Sequence, residues 1–270
     1  MTLPAVTPDD DIDASRAPLM EHLIELRKRL LISIVALVIA FAIAYTRSKA
    51  IFTFLVQPLI RAEGGHPTQL IFTRLYDGFF VQVKVAAFAA LCLAFPVIAN
   101  QLWAFVAPGL YRREKRAFLP FLIMTPVLFT MGAALAYYVV APISFRFFLQ
   151  FSDNGATTGF AQTALPSIDS YLSLIMHFMA GFGIAFLLPV LLMLLERAGL
   201  VTRAQLKSGR RYAIVGAFVV AAVLAPPDVV SQCLLAVPLV ALYEGSIVGI
   251  WFSERRRARD DAEGVRAAAE

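Results

Sequence analysis

Long stretches of uninterrupted apolar sequence confine this chain to very few architectures. They cover residues 30–45, 79–107, 117–140, 171–195, 212–225 and 229–252. Hydrocarbon offers no water to backbone N–H and C=O groups, so segments that cross it are helices or closed barrels. A helical crossing needs about 20 apolar residues, and the first four stretches reach or approach that length. The stretch 212–225 does not, since its helix would be roughly 21 Å long at 1.5 Å per residue against a hydrocarbon core of about 30 Å. The expected fold is therefore an all-α polytopic membrane protein with six candidate transmembrane helices. Composition agrees: 59% of the residues are hydrophobic and 16% charged, with a mean hydropathy of +0.73, far from an ordinary soluble domain.

The basic residues orient the chain. Eighteen of the 24 Lys and Arg residues fall in four places: the N-terminal region, the loop after the second stretch, the loop after the fourth, and the C-terminal tail. Positive charge collects on the cytoplasmic side, which puts both termini inside and implies an even number of crossings. A re-entrant hairpin over 212–252 satisfies the same count. The charges hug membrane boundaries, where topology already accounts for them, so the net charge of +5 does not point to nucleic acid. The segment 1–18, with Asp9, Asp10, Asp11 and Asp13, is too polar to bury a core and reads as a disordered tail. Residues 19–252 form one membrane domain without internal repeats, its outer loops 46–78 and 143–170 too short for separate domains, and 253–270 a charged cytoplasmic tail. The acidic, overlong leader before the first stretch argues against a cleaved signal peptide.

Just ahead of that stretch stands "LMEHLIELRKRL". At helical spacing Leu19, Leu23, Leu26 and Leu30 share one side, while Glu21, His22, Glu25, Lys28 and Arg29 share the other. This pattern suits an amphipathic helix lying in the interface before the chain turns into the membrane. Arg27 falls among the leucines and must snorkel or meet a partner. On the residues alone, lipid anchoring with Glu25 paired to Arg29 at i,i+4 explains the segment. Glu114 is the one acid in "YRREKR" and by itself reads as a solvated ion pair. Within the apolar stretches, Asn100, Gln101, Gln232 and Glu244 are costly in lipid and should face other helices or a cavity. Pro96, Pro126, Pro189 and Pro238 predict kinks. No catalytic motif is present, the three histidines are scattered, and Cys92 and Cys233 have no partner motif. Neither an enzyme nor a cofactor or metal site is expected.

Several segments, in order, resemble a known family: "HLIELRKRL", "FPVIANQLWAFVAPGLYRRE", "SYLS", "GRRYAIVGAFVVAA" and "PPDVVSQ". They are similar to the TatC family, the multi-spanning core of the twin-arginine protein translocase. The resemblance implies a cup-like protein of six helices, the last two short, with both termini cytoplasmic in the inner membrane. It implies a receptor for twin-arginine signal peptides of folded cargo, assembled into an oligomeric complex with single-span TatA- and TatB-type partners and driven by the protonmotive force. Glu25 and Glu114 match the acids implicated in reading the arginine pair, and Phe105 a neighbouring aromatic; Arg27 is expected to brace that site. Gln232, with Asp228 nearby, falls in the partner-binding region. Where many relatives have an intramembrane glutamate, "FLLPV" places Leu187. The rival reading, a small-solute secondary transporter, calls for inverted repeats and broken helices at mid-membrane.

Overall fold

The computed structural model describes residues 8–64, 70–110, 115–151, 165–224 and 228–267. Ten α-helices account for nearly all of them: α1 Pro8–Thr46, α2 Ser48–Ala62, α3 Asp77–Leu110, α4 Lys115–Leu135, α5 Ala141–Leu149, α6 Ile168–Ala185, α7 Leu188–Arg197, α8 Arg203–Ser208, α9 Arg210–Leu224 and α10 Val229–Ala267. A π-turn, Ala136–Val140, joins α4 to α5 without a break. The one extended contact among the described residues is an isolated parallel bridge between Ile71 and Ser167, which ties two loops at one end of the bundle. Membrane solvent explains the near-absence of sheet, because a helix satisfies its backbone within itself.

Among the described residues, five helical rods are long and apolar enough to cross a bilayer: His22–Thr46, Asp77–Phe105, Phe121–Leu149, Ile168–Arg197 and Val229–Arg255. The third extends beyond the apolar run ending at 140, because the π-turn and α5 carry the same rod to Leu149. The remaining apolar helix, α9, has 15 residues, in line with the short stretch expected there.

Three expectations need correction. No turn separates the amphipathic segment from the first crossing; α1 is one helix of 39 residues, since adding a residue to an existing helix is far easier than starting a new one. The helix starts at Pro8. The last helix is not short either: α10 also has 39 residues, because "SERRRARDDAEGVRA" consists mostly of good helix formers and propagates the rod past the apolar run. Finally, the segment 46–78 is not simply a loop, for α2 packs Leu55, Val56, Pro58 and Leu59 inward. Helices α3, α4 and α10 run on through Pro96, Pro126 and Pro238. At Pro189 the rod does break, with α6 ending at Ala185 and α7 starting at Leu188.

Packing relies on small residues and buried hydroxyls. Ala40 and Ala44 of α1 meet Ala86, Ala90 and Ala94 of α3 in a separate cluster. Lipid gives no hydrophobic drive for helix pairing, so close approach of backbones across small side chains supplies the contact. The main core gathers α2, α3, the α4–α5 rod, α6 and α10 around Tyr137, Tyr171, Phe178 and Phe182. Tyr137 and Tyr171 donate their hydroxyls to the carbonyls of Phe54 and Leu55 at 2.6 and 2.7 Å, fastening α2 to the bundle. Buried Ser231 donates to buried Ser144 at 3.2 Å, joining α10 to α5.

Gly132 marks the tightest crossing, where α4 meets α6. A Cβ there would stand 2.4 Å from the Phe182 carbonyl oxygen and 2.8 Å from Phe186 Cγ, so backbone would have to move. Gly132→Ala should therefore destabilise the bundle by about 1–3 kcal/mol, the usual range for overpacking, read as a lowered unfolding midpoint in detergent. An unchanged midpoint would refute that close approach.

Candidate functional site

Of the residues singled out for peptide recognition, Glu25 and Phe105 lie where the N-terminal half of α1 meets the end of α3. The alanine seam continues in this direction as a polar stripe: Ser33, Arg29 and Glu25 are all half-buried, one helical turn apart on the same face. Arg29 Nε donates to Glu25 Oε1 at 3.0 Å and Nη2 donates to the same oxygen, while Ser33 Oγ donates to the Arg29 carbonyl at 3.0 Å. One residue short of a turn earlier, His22 stacks on Phe105 of α3, with ring centroids 4.3 Å apart and planes at 24°. Glu25 is thus held within a turn of Phe105 by α1 itself. The apolar side chains of this segment face outward: Leu23, Ile24 and Leu30 are 58%, 65% and 56% exposed. Its polar side meets α3 and its apolar side is left for lipid.

His22 was not singled out as a site residue by sequence. Its signal was its place three residues before Glu25 on the same helical face. Arg27 is exposed, and Glu25 takes Arg29 as its partner instead. Glu114 and the loop 111–114 lie outside the described residues, so the expected pairing of Glu114 with Glu25 has no geometry here. Beside this junction Trp103 Nε1 donates to Thr125 Oγ1 at 2.9 Å, and Thr125 donates to the Phe121 carbonyl at 2.7 Å. The Arg197 guanidinium lies 5.9 Å from the Phe121 ring. These contacts fix α3 to α4 and bring α7 alongside at the same end.

A cavity of about 700 Å³ opens next to Trp103, walled by α3, α6, α7, α9 and α10. Leu187, in the break between α6 and α7, lines it with Leu102, Ile184, Ala217 and Leu239. The position at which a glutamate was considered therefore belongs to an apolar wall. Small residues of α9, Ala213, Gly216 and Ala217, form the opposite side.

The residues assigned to partner contact sit on the α9–α10 pair. Gln232 Nε2 donates to the Phe218 carbonyl at 3.2 Å, linking the two helices. Asp228 caps α10: its Oδ1 accepts from Ser231 N at 2.7 Å, a standard N-cap arrangement. Asp228 Oδ2 is buried with no partner among the described residues.

Two charged groups in apolar segments find internal partners, whereas Asn100 is exposed and Gln82 Oε1 is buried without a partner among the described residues. Glu244 accepts from Arg210 at 2.7 Å, and Lys84 pairs with Asp169 at 2.7 Å while donating to Ser173 at 2.6 Å. That second pair joins α3 to the first turn of α6, near the end carrying α2. Among the described residues no group of His, Cys, Asp and Glu is arranged to hold a metal.

A family model described as Sec-independent protein translocase protein (TatC) matches residues 21–238. The Sec-independent protein translocase protein TatC of Magnetococcus marinus is 49% identical to this chain, over 92% of it and 89% of its own length. That of Escherichia coli is 39% identical, over 87% and 88%. A crystal structure of the twin arginine translocase receptor TatC in DDM has a TM-score of 0.73 and 41% identity, covering 84% of this chain and 98% of that one. These relatives are translocation proteins, neither enzymes nor small-solute carriers. By sequence over most of its length and by fold, the chain belongs to the TatC family of Sec-independent protein translocase components, as a multi-pass membrane protein.

Proposed function

We propose that the chain is the receptor and core subunit of a twin-arginine translocase in the inner membrane. Its basic end faces the cytoplasm, with both termini there. Residues 19–252 make up the membrane domain, and 1–18 and 253–270 project from it. α9 makes the sixth crossing, short enough that the bilayer thins around it, and the helices together form a cup. The site reads two adjacent arginines with Glu25 and, from the loop after α3, Glu114, beside Phe105; Arg27 is a weaker, bracing contributor. Folded cargo is then exported with single-span TatA- and TatB-type partners and the protonmotive force.

One observation carries this reading beyond family membership: a carboxylate standing at the α1–α3 junction already accepts two N–H groups from a guanidinium, that of Arg29. The site thus displays the chemistry it would use on a peptide. Arg29 and Glu25 are an i,i+4 pair with side chains 23% and 33% exposed, a class of contact worth only about 0.3–0.5 kcal/mol. An incoming arginine displaces so weak a partner readily. Arginine's planar fork matches a carboxylate in a way lysine's point charge does not, which favours twin arginine over twin lysine.

Charge-assisted hydrogen bonds contribute about 1.5–3 kcal/mol each, so removing one carboxylate should weaken signal-peptide binding roughly 10- to 150-fold. Titration of a fluorescent twin-arginine signal peptide should show that loss for Glu25→Gln and for Glu114→Gln, with membrane insertion retained. Wild-type affinity in the double variant would sink the assignment.

Partner docking is assigned to the α9–α10 face around Gln232 and Asp228. Gln232 spends its amide N–H on Phe218 and retains its carbonyl oxygen for a helix seated alongside. Gln232→Leu should reduce co-purification of TatA- or TatB-type partners while leaving peptide affinity intact; undiminished recovery of both would exclude this face.

Topology is tested separately. Asp228 caps α10, so the probe goes on its neighbour Val229, which is 75% exposed. With Cys92 and Cys233 replaced by serine, Val229→Cys should react with a membrane-impermeant thiol reagent added outside intact cells. Reaction solely from the cytoplasmic side would mean that α9 and α10 re-enter without crossing.

A further inference from the structure

A second cavity, of about 450 Å³, lies between α2, α3 and the α4–α5 rod and shares no wall residue with the one at Leu187. Ile51 and Phe54 of α2, Phe88 and Cys92 of α3, and Phe129 and Ala133 of α4 form much of its wall. Of its three hydroxyl-bearing wall residues, Tyr137 donates to the Phe54 carbonyl and Thr130 to the Pro126 carbonyl, while Tyr138 stands at the rim. The wall residues from α3 and α4 belong to the crossing rods Asp77–Phe105 and Phe121–Leu149, which puts the cavity at hydrocarbon depth. Space of this kind left empty forfeits dispersion contacts on every wall, and water gains no partners there. At the α2 end the wall finishes at Tyr138, 57% exposed. Over its ring, 5.9 Å from the centroid, stands the guanidinium of Arg61 from the last turn of α2. Arg61 is exposed and forms no ion pair among the described residues.

An apolar slot at chain depth with a free cation over its rim matches a phospholipid: a tail for the slot and a phosphate for the fork of Arg61. We propose that this cavity is a binding site for one anionic phospholipid of the leaflet at the α2 end, its acyl chain between α3 and α4 and its phosphate on Arg61. The lipid fills the space under α2 beside the Tyr137 and Tyr171 tethers and adds to the packing of that helix. This site is independent of the peptide-reading assignment.

The test uses the full chain in phosphatidylcholine nanodiscs containing a small fraction of phosphatidylglycerol with a diazirine at mid-chain. After irradiation, label should concentrate on peptides covering 88–93 and 129–134. Arg61→Gln should lower that labelling about tenfold, as expected for one charge-assisted contact, whereas Lys49→Gln at the other end of α2 should leave it unchanged. Ala133→Phe, which fills the slot, should abolish it; if that variant fails to fold, the Arg61→Gln result decides alone. Uniform labelling of all lipid-facing helices would overturn the proposal, as would labelling indifferent to Arg61→Gln. Competition by water-soluble glycerol phosphate would reduce the site to a headgroup contact, and loss of label on adding a single-span partner would assign the slot to a helix; either result overturns it.

Discussion

A peptide group in hydrocarbon finds its hydrogen bond within its own helix or not at all, and the rest of this molecule follows from that. Once each rod is self-satisfied, nothing apolar in its side chains favours another rod over lipid. Selectivity between helices must come from shape and from the few polar groups that lipid cannot serve. The alanines between α1 and α3 supply the first. Tyr137, Tyr171 and the Ser144–Ser231 pair supply the second, each reaching across to a different element. A hydroxyl in such surroundings has few competitors, so one tether places α2 more firmly than several leucines would.

Charge is distributed by the same logic. Two ion pairs each have one partner at the start of a helix: Arg210, the first residue of α9, reaches Glu244 within the apolar run of α10, and Arg203, the first of α8, reaches Glu254. Glu25 lies in the first turn of the rod His22–Thr46, and its environment is peculiar: one face of α1 changes from alanine to serine, arginine, glutamate and histidine as it leaves the apolar region. The helix thereby delivers a carboxylate and an aromatic stack to one spot while keeping its leucines toward lipid. In the proposed reading, recognition and membrane anchoring share a single rod without competing for the same face.

Crossing segments were legible in the sequence because apolar length is a one-dimensional property. Continuity was not. A polar, amphipathic prelude before a crossing looks the same whether it lies flat or runs on, and only the face that meets α3 distinguishes them; the Ser33–Arg29–Glu25 stripe gives it away in hindsight. The length of α10 was hidden by charge, since "RRRARDDAEG" reads as solvated tail whether or not it is helical. α2 escaped because a 15-residue helix with one apolar face is indistinguishable from loop sequence when the neighbours that bury Leu55 and Leu59 are unknown. In the site, Glu25 and Phe105 were nameable from motif resemblance, but the ring that joins α1 to α3, His22, required three-dimensional register. The break at Pro189 was legible from proline alone, while the α2 end of the third crossing was not, because a π-turn has no simple residue signature.

That π-turn, Ala136–Val140, carries one more residue than a regular turn, and each residue rotates an α-helix by about 100°. The side chains of α5 are therefore out of phase with those of α4 by roughly that angle. α4 accordingly offers Phe129, Gly132 and Ala133 to its neighbours, while α5 offers Ser144 and Phe145, the serine toward α10. A single codon in this stretch thus acts as a phase-setter for the whole rod: removing it would restore an ordinary helix and swing Ser144 away from Ser231, while the rod stayed as apolar as before.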